Sequence, residues 1–207
     1  DRTFVVHEAP AQMSSNGNEA SPFSGRYGLI VGNLSPNKNI ASLVRAIAIL
    51  RARGITIPFI HVGRDEAHLI DKHCASNGIE RAILSAHGLS DGELTSAYRN
   101  AAFFINTSLH EGFCLPLIEA QSCGTPVIAS NRSALPEVAG DGALLIDPQN
   151  AAAIADGMEQ VWTDQKLAQD LSRRALKNAQ RFSWDRAARE LRAHMERILT
   201  HTSGNIA

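Results

Sequence analysis

Two short stretches of the chain hold residue types suited to anions and sugar hydroxyls. The first, Gly32-Asn33-Leu34-Ser35-Pro36-Asn37-Lys38-Asn39, is a small polar turn leading from an apolar run into a segment of helical period. Gly32 lets a ligand approach the backbone, and Lys38 falls near a helix start, where unpaired amides and the helix dipole already attract phosphate. Together they can cradle a diphosphate; the plainer alternative is a solvated first-turn lysine. The G-x-x-x-x-G-K-[ST] pattern of a P-loop does not occur.

The second stretch, Ser108 to Ala120, carries Glu111 in a turn and Glu119 on a helix that begins near Pro116, a residue suited to the first helical turn. The first amides of that helix, from Gly112 to Leu115, have no intrahelical acceptor and face whatever anion or hydroxyl lies there. A carboxylate that accepts from two neighbouring hydroxyls is a common grip on ribose or a hexose, so each glutamate can hold one sugar.

These loops need strands to present them. Six apolar runs read as strands: Tyr27 to Val31, Ile57 to Val62, Ala82 to Ser85, Ala102 to Asn106, Pro126 to Ala129 and Ala143 to Ile146. Between the first two, Ile40 to Arg53 puts Leu43, Ile47 and Leu50 on one helical face, stopped by Gly54. Ser90-Asp91-Gly92-Glu93 forms a capping box opening a helix through about Asn100. Further helices are predicted over Leu115 to Cys123, Ala151 to Val161, Gln165 to Arg181 and Trp184 to Thr200. This alternation predicts an α/β fold: a Rossmann-like, doubly wound, mainly parallel six-stranded sheet with helices on both faces. Ligands in such sheets bind at the carboxyl ends of the strands, where both polar loops fall. Residues 1–26, with Pro10, Ser14 to Asn18, Ser21 and Pro22, read as a linker. Residues 27–183 form the Rossmann-like domain, and 184–207 a C-terminal helix and tail.

The order Glu, Gly, Phe, any residue, Leu, Pro, two residues, Glu from Glu111 to Glu119 resembles the double-glutamate motif of retaining GT-B glycosyltransferases, specifically glycosyltransferase family 4. Gly32 to Asn39 is similar to that family's Gly-x-Leu-x-Pro-x-Lys-Asn loop, and Gly88 to Tyr98 to its Gly-x-x-Ser-Asp-x-Glu-Leu-x-x-x-Tyr segment. Gly124 to Ser130, Leu135-Pro136-Glu137-Val138, Asp147-Pro148 and Phe182-Ser183-Trp184 follow in the family's order. The resemblance implies the C-terminal, donor-binding half of a GT-B enzyme that transfers a hexose from a GDP-mannose or UDP-sugar donor with retention. Lys38 and Glu111 are its implied catalytic pair. Lys38 would meet the diphosphate with Gly32 and Asn33, and Glu119 the ribose. Glu111 with the amides of Gly112, Phe113 and Cys114, next to Leu115, would meet the transferred sugar and its phosphate. Backbone near His87 and Gly88 would meet the nucleobase. No metal or other cofactor is implied; basic side chains and amides stabilise the leaving diphosphate.

Two departures stand out. Many members have Arg after the first glycine where this chain has Asn33, and Arg64 is a candidate substitute. The position after Phe113 is commonly Gly and is Cys114 here.

Composition narrows the rest. A chain of 207 residues with 44% hydrophobic content can bury a single core. A formal net charge of −1 argues against broad attraction to nucleic acid or anionic membrane. Three cysteines without a C-x-x-C pair suggest neither a disulfide framework nor a zinc site. No apolar run reaches the roughly 20 residues of a spanning helix. With no secretory pattern in view, a cytoplasmic domain is expected, peripheral at a membrane only through another domain. Residue 1 is Asp instead of Met, which keeps a partner domain in view; the resemblance implies an N-terminal, acceptor-binding one, with a glycan or lipid-linked saccharide as acceptor. The last helix, with Arg186, Arg189, Arg192 and Arg197, reads either as a solvated face or as a brace toward that domain. Thr125, Ser130 and Ser133 read as caps before donor contacts, with Ser133 a helix N-cap, and Glu137 as holding a loop amide. Cys74 and Cys123 read as packing residues on helices. Two competing functions remain: a non-catalytic nucleotide-sugar-binding module, and a nucleotide-sugar epimerase of GT-B type.

Overall fold

The computed structural model describes residues 4–10 and 21–203; the Ser14 to Asn18 part of the expected linker and residues 204–207 lie outside the described residues. The apolar runs become six strands: β1 (Gly28–Val31), β2 (Phe59–Val62), β3 (Ile83–Ala86), β4 (Phe103–Asn106), β5 (Val127–Ser130) and β6 (Leu144–Ile146). Every neighbouring pair is parallel, in the order β3-β2-β1-β4-β5-β6. The open, parallel α/β sheet expected from the alternation is thus the architecture found. Boundaries shift by a residue or two. The second strand starts at Phe59, not Ile57, because Pro58 has no N–H to give a neighbour, though its carbonyl accepts from Gly28 N at 2.9 Å.

Among the described residues, eight α-helices connect and cover the strands: α1 (Ile40–Ala52), α2 (Leu69–Ser76), α3 (Asp91–Asn100), α4 (Leu115–Ser122), α5 (Leu135–Ala139), α6 (Ala151–Thr163), α7 (Gln165–Ala179) and α8 (Trp184–Ser203). The Ser90 capping box forms as read: Glu93 N donates to Ser90 Oγ at 3.1 Å, and Ser90 N to Glu93 Oε2 at 2.8 Å. The chain from 65 to 76, where only Cys74 hinted at a helix, starts α2 by another device. Both Asp65 carboxylate oxygens accept first-turn amides, from Leu69 N at 2.8 Å and Ile70 N at 2.9 Å. Ser133 does not cap α5. It stands at φ +55, and its hydroxyl donates to the Glu111 carbonyl at 2.7 Å.

The register explains the layers. Leu29, Phe104 and Val127 pair in one row across the sheet, and Ile105 and Ile128 in the next, so successive residues point to opposite faces. One face packs Ile30, Ile105 and Ile128 under α1 and α6, with Leu43, Ile47, Ile154 and Met158. The other packs Leu29, Phe104 and Val127 under α3, α4 and α5, with Tyr98, Leu117 and Leu135. Burial on both faces is what continuous apolar strands require. Gly28 lies in register with both Phe59 and Phe103, and a Cβ there would stand 2.6 Å from the Phe59 ring.

The order in which strands are added reverses between β1 and β4. From β1 the chain winds outward through β2 and β3; from β4 it winds the other way through β5 and β6. The connections after β1 and β4 therefore leave the carboxyl end of the sheet toward opposite wings, the point where ligands of such sheets bind. Among the described residues, no helix is long and apolar enough to cross a membrane. On α8, Arg186 pairs with Glu190 and Arg192 with Glu196, both at 2.8 Å and one turn apart.

Candidate functional site

Both polar stretches meet at this reversal. The loop after β1 tightens into a 3-10 turn at Pro36–Lys38, and Asn39, at φ +56, turns the chain into α1. The loop after β4 is sewn to it: Leu109 N donates to Asn37 O at 2.8 Å, Thr107 Oγ1 to Lys38 O at 3.1 Å, and Asn39 Nδ2 to Thr107 O at 3.1 Å. Across this seam Lys38 Nζ donates to Glu111 Oε1 at 2.5 Å, with side-chain exposures of only 26% and 12%. Ser108 Oγ donates to the same oxygen at 2.7 Å, and Asn106 Nδ2 stands 3.5 Å away. A half-buried ion pair with further donors on the carboxylate holds its geometry better than an exposed one.

Glu111 leads into α4 through Gly112, Phe113 and Cys114, with Leu115 the first helical residue. Cys114 holds φ +83, a conformation that explains why a glycine suits this position. Its thiol is pushed up to about 12, first by burial and next by the Glu111 charge. Asn106 Nδ2 donates to Cys114 Sγ at 3.2 Å. Further along α4, Glu119 Oε2 accepts from the Tyr98 hydroxyl at 2.9 Å. Burial raises the Glu119 carboxyl above its usual range, partly offset by that hydrogen bond, and burial lifts the Tyr98 phenol well above its own. Glu111 thus precedes the N-terminus of α4, while Glu119 stands on its second turn against Tyr98 of α3.

The other residues singled out in the sequence lie elsewhere on the rim. Gly32, at φ +127, packs under Gly63, where a Cβ would stand 2.3 Å from Gly32 O. Asn33 turns toward the loop after β2, its Oδ1 accepting from Arg64 N at 3.0 Å. The Arg64 guanidinium stays exposed, 3.5 Å from Glu66. Arg64 and His87 line an open concavity of about 610 Å³ that neither Lys38 nor Glu111 borders. Gly88 follows His87 at φ +74 on the way from β3 to α3. Thr125 and Ser130 are buried, the Thr125 hydroxyl donating to Tyr98 O at 2.7 Å, so both serve the framework.

Lys38, Glu111, Gly112, Phe113 and Cys114 line a second open concavity, of about 740 Å³. One wall of it is the N-terminal segment Val5 to Glu8. His7 Nε2 stands 2.8 Å from Glu137 Oε1, and the His7 ring lies edge-on to Phe182 at 5.7 Å. Glu137 therefore engages an imidazole, not the loop amide expected of it. The sequence reading missed this wall, the Ser108 and Asn106 donors to Glu111, and the Tyr98 hydroxyl on Glu119. Asn106 carried a signal, a polar residue closing an apolar strand; His7 carried none.

Residues 18–178 match the family described as Glycosyl transferases group 1. The O-antigen chain mannosyltransferase B of Escherichia coli is 34% identical over 162 residues, which cover 77% of this chain and 42% of that protein. The serotype-specific mannosyltransferase WbdA of Escherichia coli is 30% identical over 190 residues, 89% of this chain and 23% of that protein. The chain thus spans less than half the length of these curated relatives. Of solved structures, a sucrose-phosphate synthase from Thermosynechococcus elongatus superposes with TM-score 0.74 at 24% identity, over 94% of this chain and 50% of that one. The pneumococcal O-GlcNAc transferase GtfA, in complex with UDP and GlcNAc, superposes with TM-score 0.71 at 20% identity, over 92% and 38%.

Proposed function

The chain belongs to the glycosyl transferases group 1 family, and from that premise we propose that it is the donor-binding lobe of an enzyme that transfers a hexose from a nucleotide-diphosphate sugar. The observation that carries this reading is the meeting of Lys38 and Glu111, at 2.5 Å, where the loops after β1 and β4 are joined and α4 begins. A diphosphate binding there finds the Lys38 ammonium and the first-turn amides of α4, a cation and a helix N-terminus that favour the same anion. Glu111 and the amides of Gly112 to Cys114 then face the sugar, and Glu119 the ribose. Charge that grows on the departing diphosphate is met by groups already in position, which is how such a site lowers a barrier. The donor's own phosphate takes the proton of the incoming hydroxyl, the anomeric configuration is retained, and no metal takes part.

The mannosyltransferases among the relatives favour a mannosyl donor, for which GDP-mannose is our choice, and the UDP bound to GtfA keeps UDP-sugars as the other. The acceptor, a glycan or lipid-linked saccharide, sits on the part of the enzyme outside this chain. Exposed Trp184, Leu191, Met195 and Ile198 along α8 support a contact with that part. One observation favours a second reading, a binding module without turnover. Asn33 is uncharged and accepts from Arg64 N, and the Arg64 guanidinium borders the other concavity, beside His87, so neither supplies a second cation next to Lys38.

Calorimetry with GDP, UDP and their hexose conjugates tests the assignment. Glu119→Ala should weaken nucleotide binding by about 1 to 3 kcal/mol, the cost of stranding polar partners at a half-buried site. Lys38→Ala should weaken the diphosphates and leave the nucleosides alone. Parent-like binding of diphosphates by Lys38→Ala removes the basis of the reading.

A further inference from the structure

We propose that Tyr98 is a positioning residue: its buried hydroxyl fixes the Glu119 carboxylate so that one oxygen stays committed to the protein and the other is presented to the ribose hydroxyls of a bound nucleotide. This rests on the reading of Glu119 as the ribose ligand. The Tyr98 ring is fully buried on α3, 6.0 Å from the Phe104 ring, so it cannot swing with its partner. Its own carbonyl accepts from Thr125 Oγ1 at 2.7 Å, which ties α3 to the segment entering β5. The hydroxyl is therefore a fixed point, and it donates to Glu119 Oε2 at 2.9 Å. Glu119, by contrast, is only partly buried on α4 and has a long, rotatable side chain. A carboxylate free to rotate loses entropy when it grips two vicinal hydroxyls; one pinned at a single oxygen loses little.

The pinning also answers a charge problem. Burial disfavours the Glu119 anion, Asp91 at the start of α3 adds to that, and the Tyr98 hydrogen bond works against both. Without the phenol the carboxyl group is looser and its anion less favoured, and both changes weaken its hold on hydroxyls. A buried tyrosine hydroxyl that merely needed an acceptor would have the same geometry but no effect on which sugar is preferred.

Tyr98→Phe removes the hydroxyl and keeps the ring. The experiment is calorimetric titration of the full chain with GDP and UDP and with their 2′,3′-dideoxy counterparts, for the parent, Tyr98→Phe and Glu119→Ala, with folding followed by thermal melting. The expected result is roughly tenfold or greater preference of the parent for the ribose form. That preference should fall to about twofold or less in both variants, with affinity for the dideoxy form unchanged. A Tyr98→Phe chain that keeps the full preference overturns the positioning role and leaves Glu119 as the ribose ligand. A parent without preference overturns the ribose reading of Glu119, and the proposal with it. Equal loss for ribose and dideoxy forms in Tyr98→Phe makes the hydroxyl a general support of the fold and overturns the proposal as well.

Discussion

Cys114 stands in a backbone conformation that its side chain resists. At φ +83 and ψ +71 a Cβ costs roughly 1 to 2 kcal/mol relative to glycine. Against that, the thiol is buried and accepts from Asn106 Nδ2, and with its titration pushed up to about 12 it remains protonated at neutral pH. The two substitutions that remove the thiol should therefore differ in an unusual direction. Cys114→Ala loses the buried sulfur and keeps the strained Cβ, a cost of about 1 to 2 kcal/mol. Cys114→Gly loses the sulfur and releases the strain, so it should fall within about 1 kcal/mol of the parent. In an ordinary helical position glycine is the worse choice by about 1 kcal/mol. Urea unfolding of both variants checks this, and an alanine variant more stable than the glycine variant would refute the strain.

Element by element, the strands hold the loops in place through a few side chains that point along the carboxyl rim. His61, in the apolar run of β2, is fully buried, with Nε2 2.8 Å from Gly32 O and Nδ1 3.3 Å from Ser85 Oγ. The neutral ring satisfies both neighbours, Nε2–H donating to the carbonyl and Nδ1 accepting from the hydroxyl. Burial holds its pKa below the ordinary 6.5, although Gly32 O and the nearby Asp65 pull the other way. A depressed histidine leaves the unfolded chain binding more protons, so its share of stability is intact above pH 6.5 and drains as the pH falls below it. His61→Gln keeps donor and acceptor without the titration. Its deficit against the parent should shrink by about 1 kcal/mol between pH 7.5 and pH 5.5 in urea unfolding; a constant deficit would mean that His61 does not titrate there. A histidine in an otherwise apolar strand was visible in the sequence, but its partners, 29 and 24 residues away, were not. The same limit ran through the whole reading. Alternating runs and the Ser90 box made strands and long helices legible, because those signals are local. Helix α5, five residues long, is too short to carry a period, and Ser133 left the capping role for a carbonyl 22 residues away. Lys38 and Glu111 stood out by type and motif. Their contact depended on which strands lie side by side, which the alternation of elements does not specify.

At the scale of the whole molecule, the reversal divides the sheet into two wings, β3-β2-β1 and β4-β5-β6, joined along the pairing of β1 with β4. A ligand that touches the loops of both wings binds only when both wings are folded, so its free energy adds to the stability of the whole chain. At a concentration 100 times its dissociation constant that addition is about 2.7 kcal/mol. For a chain of this length each kcal/mol moves the melting point by roughly 2 to 4 °C, so the right nucleotide sugar should raise it by roughly 5 to 10 °C. A melting panel of UDP, GDP, ADP and their sugars makes the measurement and at once selects the base. Repeating the best ligand in excess EDTA should leave the rise in place if, as proposed, Lys38 and the amides of α4 supply the positive end of the site. A rise that vanishes with chelator would assign that charge to a divalent cation instead. The transfer step differs: if, as proposed, the acceptor is held by a part of the enzyme outside this chain, the chain should bind donor without turning it over until that remainder is supplied. Donor binding and sugar transfer, assayed with and without that remainder, should then separate cleanly.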